Sequence, residues 1–191
     1  MERVRVAADN RAATGPFARF DKALHRWIGA HNAAKKPFIM ALLDLDNFKS
    51  INDKHGHQVG DRVLHSAAQW FRKCVRANDF LARFGGEEFA ILLSDATIEQ
   101  AFHKFNSLLE SIAMASYKYN VAGDMATVSF TVSCGVAEFV PEESAEALVR
   151  RADAAMYEAK RTGKNRVVLA ERPQKSKGLW NSLQPLIPFK I

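Results

Sequence analysis

The chain is poor in cysteine and has no long apolar segment, and both absences restrict the class of protein. Cys74 and Cys134 are its two cysteines, and neither belongs to a Cys-x-x-Cys or Cys/His pattern. Two unpatterned cysteines predict free buried thiols in a reducing compartment. No apolar run reaches the roughly 18 residues needed to cross a bilayer, and the charged N-terminus lacks the apolar core of a signal peptide. We therefore expect a cytoplasmic protein.

Two familiar kinds of catalytic motif are also missing. The chain has no GxxxxGK[ST] phosphate-binding loop, and no serine or cysteine lies within a nucleophile motif. His55 and His57 flank Gly56, but a zinc ion would need further ligands that the sequence does not supply. We expect these histidines to be turn residues.

The positive charge of the chain is concentrated at its C-terminal end. Residues 161–191 hold seven Lys or Arg and one acid, which accounts for the whole net charge of +6. The rest of the chain is neutral, which argues against nucleic acid as a partner. The tail also places Trp180 and Phe189 near Lys175 and Lys177. This composition allows either a contact with a membrane surface or a mobile or back-packed extension.

Apolar periodicity alternates between helical and extended along the chain. Helices are predicted at residues 17–33, 47–54, 62–75, 98–114 and 144–162, and strands at 38–45, 79–84, 89–93, 117–122, 126–137 and 166–169. Residues 55–61, HGHQVGD, are predicted as a turn. Gly85-Gly86 and Gly123-Asp124 each lie between two strands, which indicates hairpins.

This order of elements predicts an α/β (α+β) protein of ferredoxin-like or palm type. Its sheet should be mixed but largely antiparallel, with helices flanking it and a small second hairpin beside it. We expect residues 16–170 to form one domain, residues 1–15 to be an N-terminal extension, and residues 171–191 to be a basic tail.

Acidic residues gather at two places that the sheet could bring together. Asp44 and Asp46 come at the end of an apolar strand, and Glu87 and Glu88 lie at a hairpin. Converging carboxylates repel each other unless a cation lies between them, and oxygen ligands suit Mg²⁺ or Mn²⁺. Helix capping by the aspartates and a solvated hairpin tip for the glutamates are the alternatives.

Several polar residues could bind a nucleotide beside these acids. Lys160 and Lys164 are four apart at the end of a predicted helix, so they can share one face, and they could clamp a phosphate or only complement the helix dipole. The free N–H groups of residues 47–49 could hold phosphate oxygens. Asn52 and Asp61 have groups that can read a purine edge, but they also suit a polar helix face and an N-cap.

Together these motifs resemble the GGDEF family of diguanylate cyclases. The resemblance rests on the segments DLDNFKSIND (44–53), GH (56–57), GD (60–61), ARFGGEEF (82–89), RADAAMYEAK (151–160) and GKNR (163–166). It runs in unbroken order from Phe38 to Val168, and the GGEEF spelling is an active-type variant in that family.

The resemblance implies a reaction in which two GTP molecules condense to cyclic di-3′,5′-GMP and release two pyrophosphates. Each domain of a homodimer would hold one GTP, so that each 3′-hydroxyl attacks the α-phosphate of the other. Two Mg²⁺ or Mn²⁺ ions per active site are the implied cofactors.

By the same resemblance, the matched positions fall into two sets. The implied metal ligands are Asp44, the Leu45 carbonyl, Glu87 and Glu88. The implied GTP contacts are the backbone at Asn47, Phe48 and Lys49, the guanine-reading pair Asn52 and Asp61, the glycines Gly85 and Gly86, and the phosphate contacts Lys160 and Lys164. Glu87, or a metal-bound hydroxide, would help to deprotonate the 3′-hydroxyl, and Lys49 would stabilise developing charge. Glu88 completes the catalytic set.

Arg76-Ala77-Asn78-Asp79 matches the RxxD motif through which family members bind the product and are inhibited. The pattern also suits a simple helix-to-strand corner with a local ion pair. Two features depart from the family: Asn106-Ser107-Leu108 stands near the place of a supporting arginine, and Thr14-Gly15 alone remains of the motif before the first helix. A non-catalytic receptor that binds cyclic di-GMP through Arg76 and Asp79 is the alternative function.

Overall fold

Five helices and seven strands form within the residues that the computed structural model describes, which are 16–34, 36–121 and 124–173. The helices are α1 (Pro16–Ala34), α2 (Phe48–His55), α3 (His57–Cys74), α4 (Ile98–Met114) and α5 (Ala145–Arg161). The strands are β1 (Ile39–Leu45), β2 (Phe80–Arg83), β3 (Glu88–Leu93), β4 (Tyr117–Val121), β5 (Asp124–Val128), β6 (Val132–Glu138) and β7 (Val167–Leu169). Thr14, Gly15 and the tail residues Lys175, Lys177, Trp180 and Phe189 lie outside the described residues.

The main sheet has five strands in the order β2-β3-β1-β6-β7, and β4 pairs with β5 in a separate hairpin. All neighbours in the main sheet are antiparallel except β6 and β7. β1 lies in the centre because its sequence, IMALLDL, is apolar on both faces, and all seven of its residues are buried. The predicted mixed, largely antiparallel sheet with a small second hairpin is confirmed.

Helices cover both faces of this sheet, and alternate residues of β1 point to opposite faces. Leu43 packs in the cluster that contains residues of α2, α3 and α4, whereas Met40 and Leu42 pack in the cluster that contains residues of α1 and α5. α5 lies directly on β6, since a Cβ added to Gly135 would come within 2.2 Å of the Ala152 carbonyl oxygen. This close approach places the last turn of α5 beside the end of β1.

Two predictions from the sequence were wrong. The predicted turn at 55–61 is helical from His57 onward, and Gly56, with φ of +81°, is the break between α2 and α3. Val59 and Val63 are fully buried, so this segment already follows the apolar period of α3. The predicted strand at 126–137 is divided, because β5 and β6 belong to different sheets. In the parts of the chain that are described, no helix has both the length and the apolar character to span a bilayer.

Candidate active site

Asp44 lies near the end of β1, with only 4% of its surface exposed. Its Oδ2 atom is 2.6 Å from the ammonium nitrogen of Lys160 on α5. Burial raises the pKa of Asp44 from 3.8 to about 6; the Lys160 ammonium opposes this rise, while the charges of Glu87 and Glu88 add to it. The sheet therefore does bring the two groups of acids together, around one cationic side chain.

The β2–β3 hairpin holds the two glutamates against β1. Glu88 is the cross-strand partner of Asp44, and the Leu45 N–H donates to the Glu87 carbonyl at 3.3 Å. Arg83 holds the turn between β2 and β3, since its guanidinium donates to the carbonyl oxygens of both Gly85 and Gly86. Hydrogen bonds thus join the end of β1 to the hairpin and hold its turn.

The two glycines of the hairpin have different surroundings. A Cβ at Gly85 would lie 2.4 Å from the Glu88 carboxylate, so this glycine makes room for that side chain. Among the described residues, a Cβ at Gly86 would meet no atom within 4 Å apart from its chain neighbours. The sequence predicted that both glycines leave space for a nucleotide. The space beside Gly86 is open among the described residues, whereas the space beside Gly85 holds the Glu88 carboxylate.

The chemistry of this region suits a hard divalent cation. It offers carboxylate oxygens and the Leu45 carbonyl, which are the ligand types that Mg²⁺ prefers. Positive charge also relieves the mutual repulsion among Asp44, Glu87 and Glu88. The Lys160 ammonium group supplies such a charge to Asp44. Within the described ranges, however, no three acidic, His or Cys side chains are yet arranged as a metal cluster. The donor set fits a metal ion by its chemistry.

The start of α2 lies next to these acids and presents backbone N–H groups. Asn47 is the N-cap residue in the left-handed region, with φ of +56°, and its side chain makes no capping hydrogen bond. The first helical bonds run from Ser50 and Ile51 to the Asn47 carbonyl, so the N–H groups of Phe48 and Lys49 precede them. Lys164 Nζ donates to Asn47 Oδ1 across this end. α5 ends at Arg161, so Lys164 lies in the loop that follows, and the prediction that it shares a helix face with Lys160 is wrong. The two lysines instead flank the end of β1, each on a different partner.

On the far side of α2, Asn52 has an unsatisfied polar atom. Its Oδ1 is buried and has no hydrogen-bond partner within the described residues. A Cβ at Gly60 would lie only 1.8 Å from that atom, so the side chain rests against the first turns of α3. Asp61 is the next residue and is exposed. It lies inside α3, which begins at His57, so the alternative that it caps this helix is wrong.

Asp46, also 4% exposed, has surroundings unlike those of Asp44. It does not cap α2, and its carboxylate instead accepts hydrogen bonds from Thr131, Ser133 and the backbone of Asn165. The capping alternative for this residue is wrong, because the donors of distant segments occupy both of its oxygens.

The RxxD segment forms the corner between α3 and β2. The Asp79 carboxylate accepts from the Arg76 N–H at 2.8 Å and the Ser94 N–H at 3.1 Å, so the local contact is a turn and not an ion pair. The exposed Arg76 side chain borders a cavity of about 370 Å³. Lys104 of α4 also lines this cavity, one turn before Ser107. Sequence reasoning missed this lysine, although helical spacing places it on the same face as Ser107.

The sequence matches a known family model and several named relatives. Residues 17–166 match the family model described as diguanylate cyclase, GGDEF domain. The diguanylate cyclase DgcP of Pseudomonas aeruginosa is 42% identical over 134 residues, which cover 69% of this chain and 19% of that protein. DgcM of Escherichia coli is 40% identical over 140 residues, covering 73% and 32%. The chain thus spans between a fifth and a third of the length of these relatives.

Solved structures show the same fold. The GGDEF domain of DgcB from Caulobacter crescentus, in complex with c-di-GMP, superposes with a TM-score of 0.77 at 31% identity, covering 87% of this chain and 99% of that one. The active GGEEF domain of a diguanylate cyclase from Vibrio cholerae gives a TM-score of 0.69 at 29% identity, covering 80% and 94%. This chain belongs to the GGDEF family of diguanylate cyclase domains.

Proposed function

We propose that this chain is a diguanylate cyclase that condenses two GTP into cyclic di-3′,5′-GMP and two pyrophosphates across a homodimer. The observation that carries the proposal is the environment of Asp44, a buried carboxylate with a raised pKa that faces Lys160, Glu87 and Glu88. A charge kept in such surroundings destabilises the fold and suggests a function. Relatives that are named diguanylate cyclases support the assignment.

Asp44, Glu87, Glu88 and the Leu45 carbonyl are the groups that would hold two Mg²⁺ or Mn²⁺ ions. Such ions neutralise charge on phosphate oxygens and orient them for in-line displacement. Lys160, which pairs with Asp44 in this structure, would contact a phosphate when bound ions supply the positive charge at that carboxylate. Glu87, placed beside Leu45 by the hairpin, can accept the proton of the 3′-hydroxyl.

Asn52 and Asp61 would select guanine. The buried Asn52 Oδ1 has no donor among the described residues, and the Watson–Crick edge of guanine has N–H donors at N1 and N2. Adenine has an acceptor at N1, so two acceptors, on Asn52 and Asp61, would lack one of the two adjacent donors that guanine supplies. A site with an unpaired acceptor at Asn52 Oδ1 and a second acceptor at Asp61 therefore favours GTP over ATP.

The phosphates would lie over the start of α2. The N–H groups at Asn47, Phe48 and Lys49 point from a helix N-terminus, where an anion is favoured. Lys164 is already held at this end through Asn47, and the exposed Lys49 can balance charge that develops in the transition state.

The cavity beside Arg76 and Asp79 would bind the product and inhibit the enzyme. Lys104 and the exposed Arg76 both line this cavity and give it two positive charges. Charged side chains of this type bind phosphodiester groups well. The same cavity favours a second candidate function, in which the chain is a receptor for cyclic di-GMP and does not make it.

Turnover separates the two functions. The protein is incubated at high concentration with GTP and Mg²⁺, and cyclic di-GMP is measured by chromatography. Product from the wild type and none from Glu87→Ala or Glu88→Ala is the expected result. Retained binding of cyclic di-GMP with no product from the wild type would establish the receptor and end the enzyme proposal.

A further inference from the structure

Asp46 has no part in the proposed chemistry, yet its carboxylate joins three segments of the chain. Oδ1 accepts from the Ser133 hydroxyl at 2.6 Å. Oδ2 accepts from the Thr131 hydroxyl at 2.7 Å and from the Asn165 N–H at 3.1 Å. The Asp46 N–H in turn donates to the Thr131 carbonyl at 2.9 Å. The end of β1, the start of β6 and the loop between α5 and β7 are therefore tied together at one side chain.

The loop that Asp46 holds has an unusual backbone. Gly163, Lys164 and Asn165 are consecutive and have φ values of +124°, +62° and +45°. Left-handed conformations are unfavourable for residues with a Cβ, and they persist where surrounding contacts fix them. The Lys164 N–H donates to the Ala159 carbonyl at 2.9 Å, and the Asn165 N–H donates to Asp46. The Asp46 carboxylate thus fixes Asn165, the last of the three residues, to the end of β1.

The same junction sets the position of the Lys164 side chain. Asp46 and Asn47 are neighbours in the chain, and so are Lys164 and Asn165. Asp46 binds the backbone of Asn165, while Asn47 accepts from the ammonium group of Lys164. These two neighbouring contacts hold the Lys164 side chain at the start of α2.

We propose that Asp46 is a positioning residue that holds Lys164 at the N-terminus of α2, and that it is not a metal ligand. The proposal rests on the proposed function in one respect, which is that Lys164 contacts the phosphates of GTP. Donors from Thr131, Ser133 and Asn165 occupy both oxygens of the Asp46 carboxylate. These donors take three of the roughly four lone-pair positions of a carboxylate that is only 4% exposed, which disfavours a cation there.

A double-mutant cycle on nucleotide binding tests the connection between the two residues. The dissociation constant of α,β-methylene-GTP with Mg²⁺ is measured by calorimetry for the wild type, Asp46→Asn, Lys164→Met and the double variant. We expect Asp46→Asn to weaken binding about tenfold and Lys164→Met roughly 10- to 100-fold. The double variant should bind no more weakly than Lys164→Met. Multiplying losses would show that Asp46 acts independently of Lys164 and would overturn the proposal.

Two further measurements exclude other roles for Asp46. The affinity for Mn²⁺ alone should stay within about twofold of wild type in Asp46→Asn, whereas its loss would make this residue a metal ligand. Thr131→Val is the matched control, because it removes one donor to the same carboxylate and leaves the Asn165 contact in place. It should lower Tm with little change in nucleotide affinity. Equal weakening by Thr131→Val and Asp46→Asn, at equal Tm, would reduce the effect to general destabilisation.

The contact itself can be tested without nucleotide. Hydrogen exchange of the Asn165 backbone amide, followed by NMR, should be at least tenfold faster in Asp46→Asn than in Thr131→Val. Unchanged exchange in Asp46→Asn would contradict the proposed positioning role of Asp46 and leave the proposed function unaffected. A wild type that does not bind α,β-methylene-GTP would contradict the proposed function, and the phosphate role of Lys164 with it.

Discussion

Asp44 and Asp46 lie two residues apart at the end of the same strand, and each is only 4% exposed, yet their surroundings are opposite. Both oxygens of Asp46 accept hydrogen bonds from three donors, two hydroxyls and a backbone amide. Asp44 has one ammonium group beside it and two repelling carboxylates nearby, and its pKa is raised to about 6.

The difference shows what kind of burial marks a functional residue. A buried carboxylate that is fully hydrogen-bonded contributes to the stability of the fold, whereas one that is desolvated among like charges opposes it. Asp46 fits the first description and Asp44 the second. We infer that the region around Asp44 is organised to receive a cation and a substrate, and the region around Asp46 to keep the first region in place.

The largest expected effect is on turnover by an Asp44 variant. Asp44→Asn keeps the shape of the side chain but removes the charge that would bind a metal ion. Product formation from GTP should fall at least a hundredfold, with no loss of folded protein. Initial rates of cyclic di-GMP formation provide the measurement. Activity within tenfold of wild type would show that this carboxylate is not needed.

The next effect is on stability, where the two aspartates should differ. Asp46→Ala leaves three donors without their acceptor and should lower the free energy of unfolding by about 2–4 kcal/mol. Asp44→Ala should lower it by less than about 1 kcal/mol, because the removed charge was itself unfavourable. Denaturant unfolding without nucleotide measures both. A larger loss in the Asp44 variant would reverse the comparison.

A third test concerns Asn52, whose buried amide oxygen, unlike the Asp44 carboxylate, has no partner among the described residues. Since its Oδ1 has no partner among the described residues, Asn52→Ala should change the free energy of unfolding by less than about 1 kcal/mol. The KM for GTP should nevertheless rise roughly 10- to 100-fold. Gly60→Ala, whose Cβ would meet that oxygen at 1.8 Å, should raise KM in the same direction. A strongly destabilised Asn52→Ala with normal KM would give this residue a structural role.

The smallest effects belong to the corner between α3 and β2, which lies away from both aspartates. Arg76→Ala should raise the cyclic di-GMP concentration for half-inhibition about tenfold, and Lys104→Met about threefold. Uninhibited rates should not change. Lys73→Met is a suitable control, because this lysine lies over Trp70 and does not line the cavity. An unchanged inhibition curve for Arg76→Ala would show that this segment only forms a structural turn and does not bind the product.

Much of the fold follows from local sequence signals. The helix predicted at 98–114 is α4, and its start has a capping box between Thr97 and Gln100. The apolar run of β1 predicted a central strand. The start of α3 could not be predicted in this way, because α3 begins directly after Gly56 with no side-chain cap and two histidines nearby suggested a turn.

The candidate site was predictable only in part. Convergence of Asp44 with Glu87 and Glu88 follows once β1 and β3 are neighbours, and the motifs were sufficient to indicate this. The role of Asp46 was not predictable, because its partners are 85 to 119 residues away in the chain. Lys104 was missed for a related reason, since only the folded corner brings α4 next to Arg76.

The pH dependence of stability tests most directly the claim that Asp44 is held in an unfavourable charged state. Because the pKa of Asp44 is about 6 in the folded protein and 3.8 in its usual surroundings, the folded state binds more protons between these values. The wild type should therefore lose stability as pH rises from 4 to 7, relative to Asp44→Asn.

The measurement is the difference in free energy of unfolding between Asp44→Asn and wild type, without metal, at pH values from 4 to 7. The account predicts a difference that grows in favour of Asp44→Asn by roughly 1–3 kcal/mol over this range. A difference that stays constant, or that grows in favour of the wild type, would contradict it.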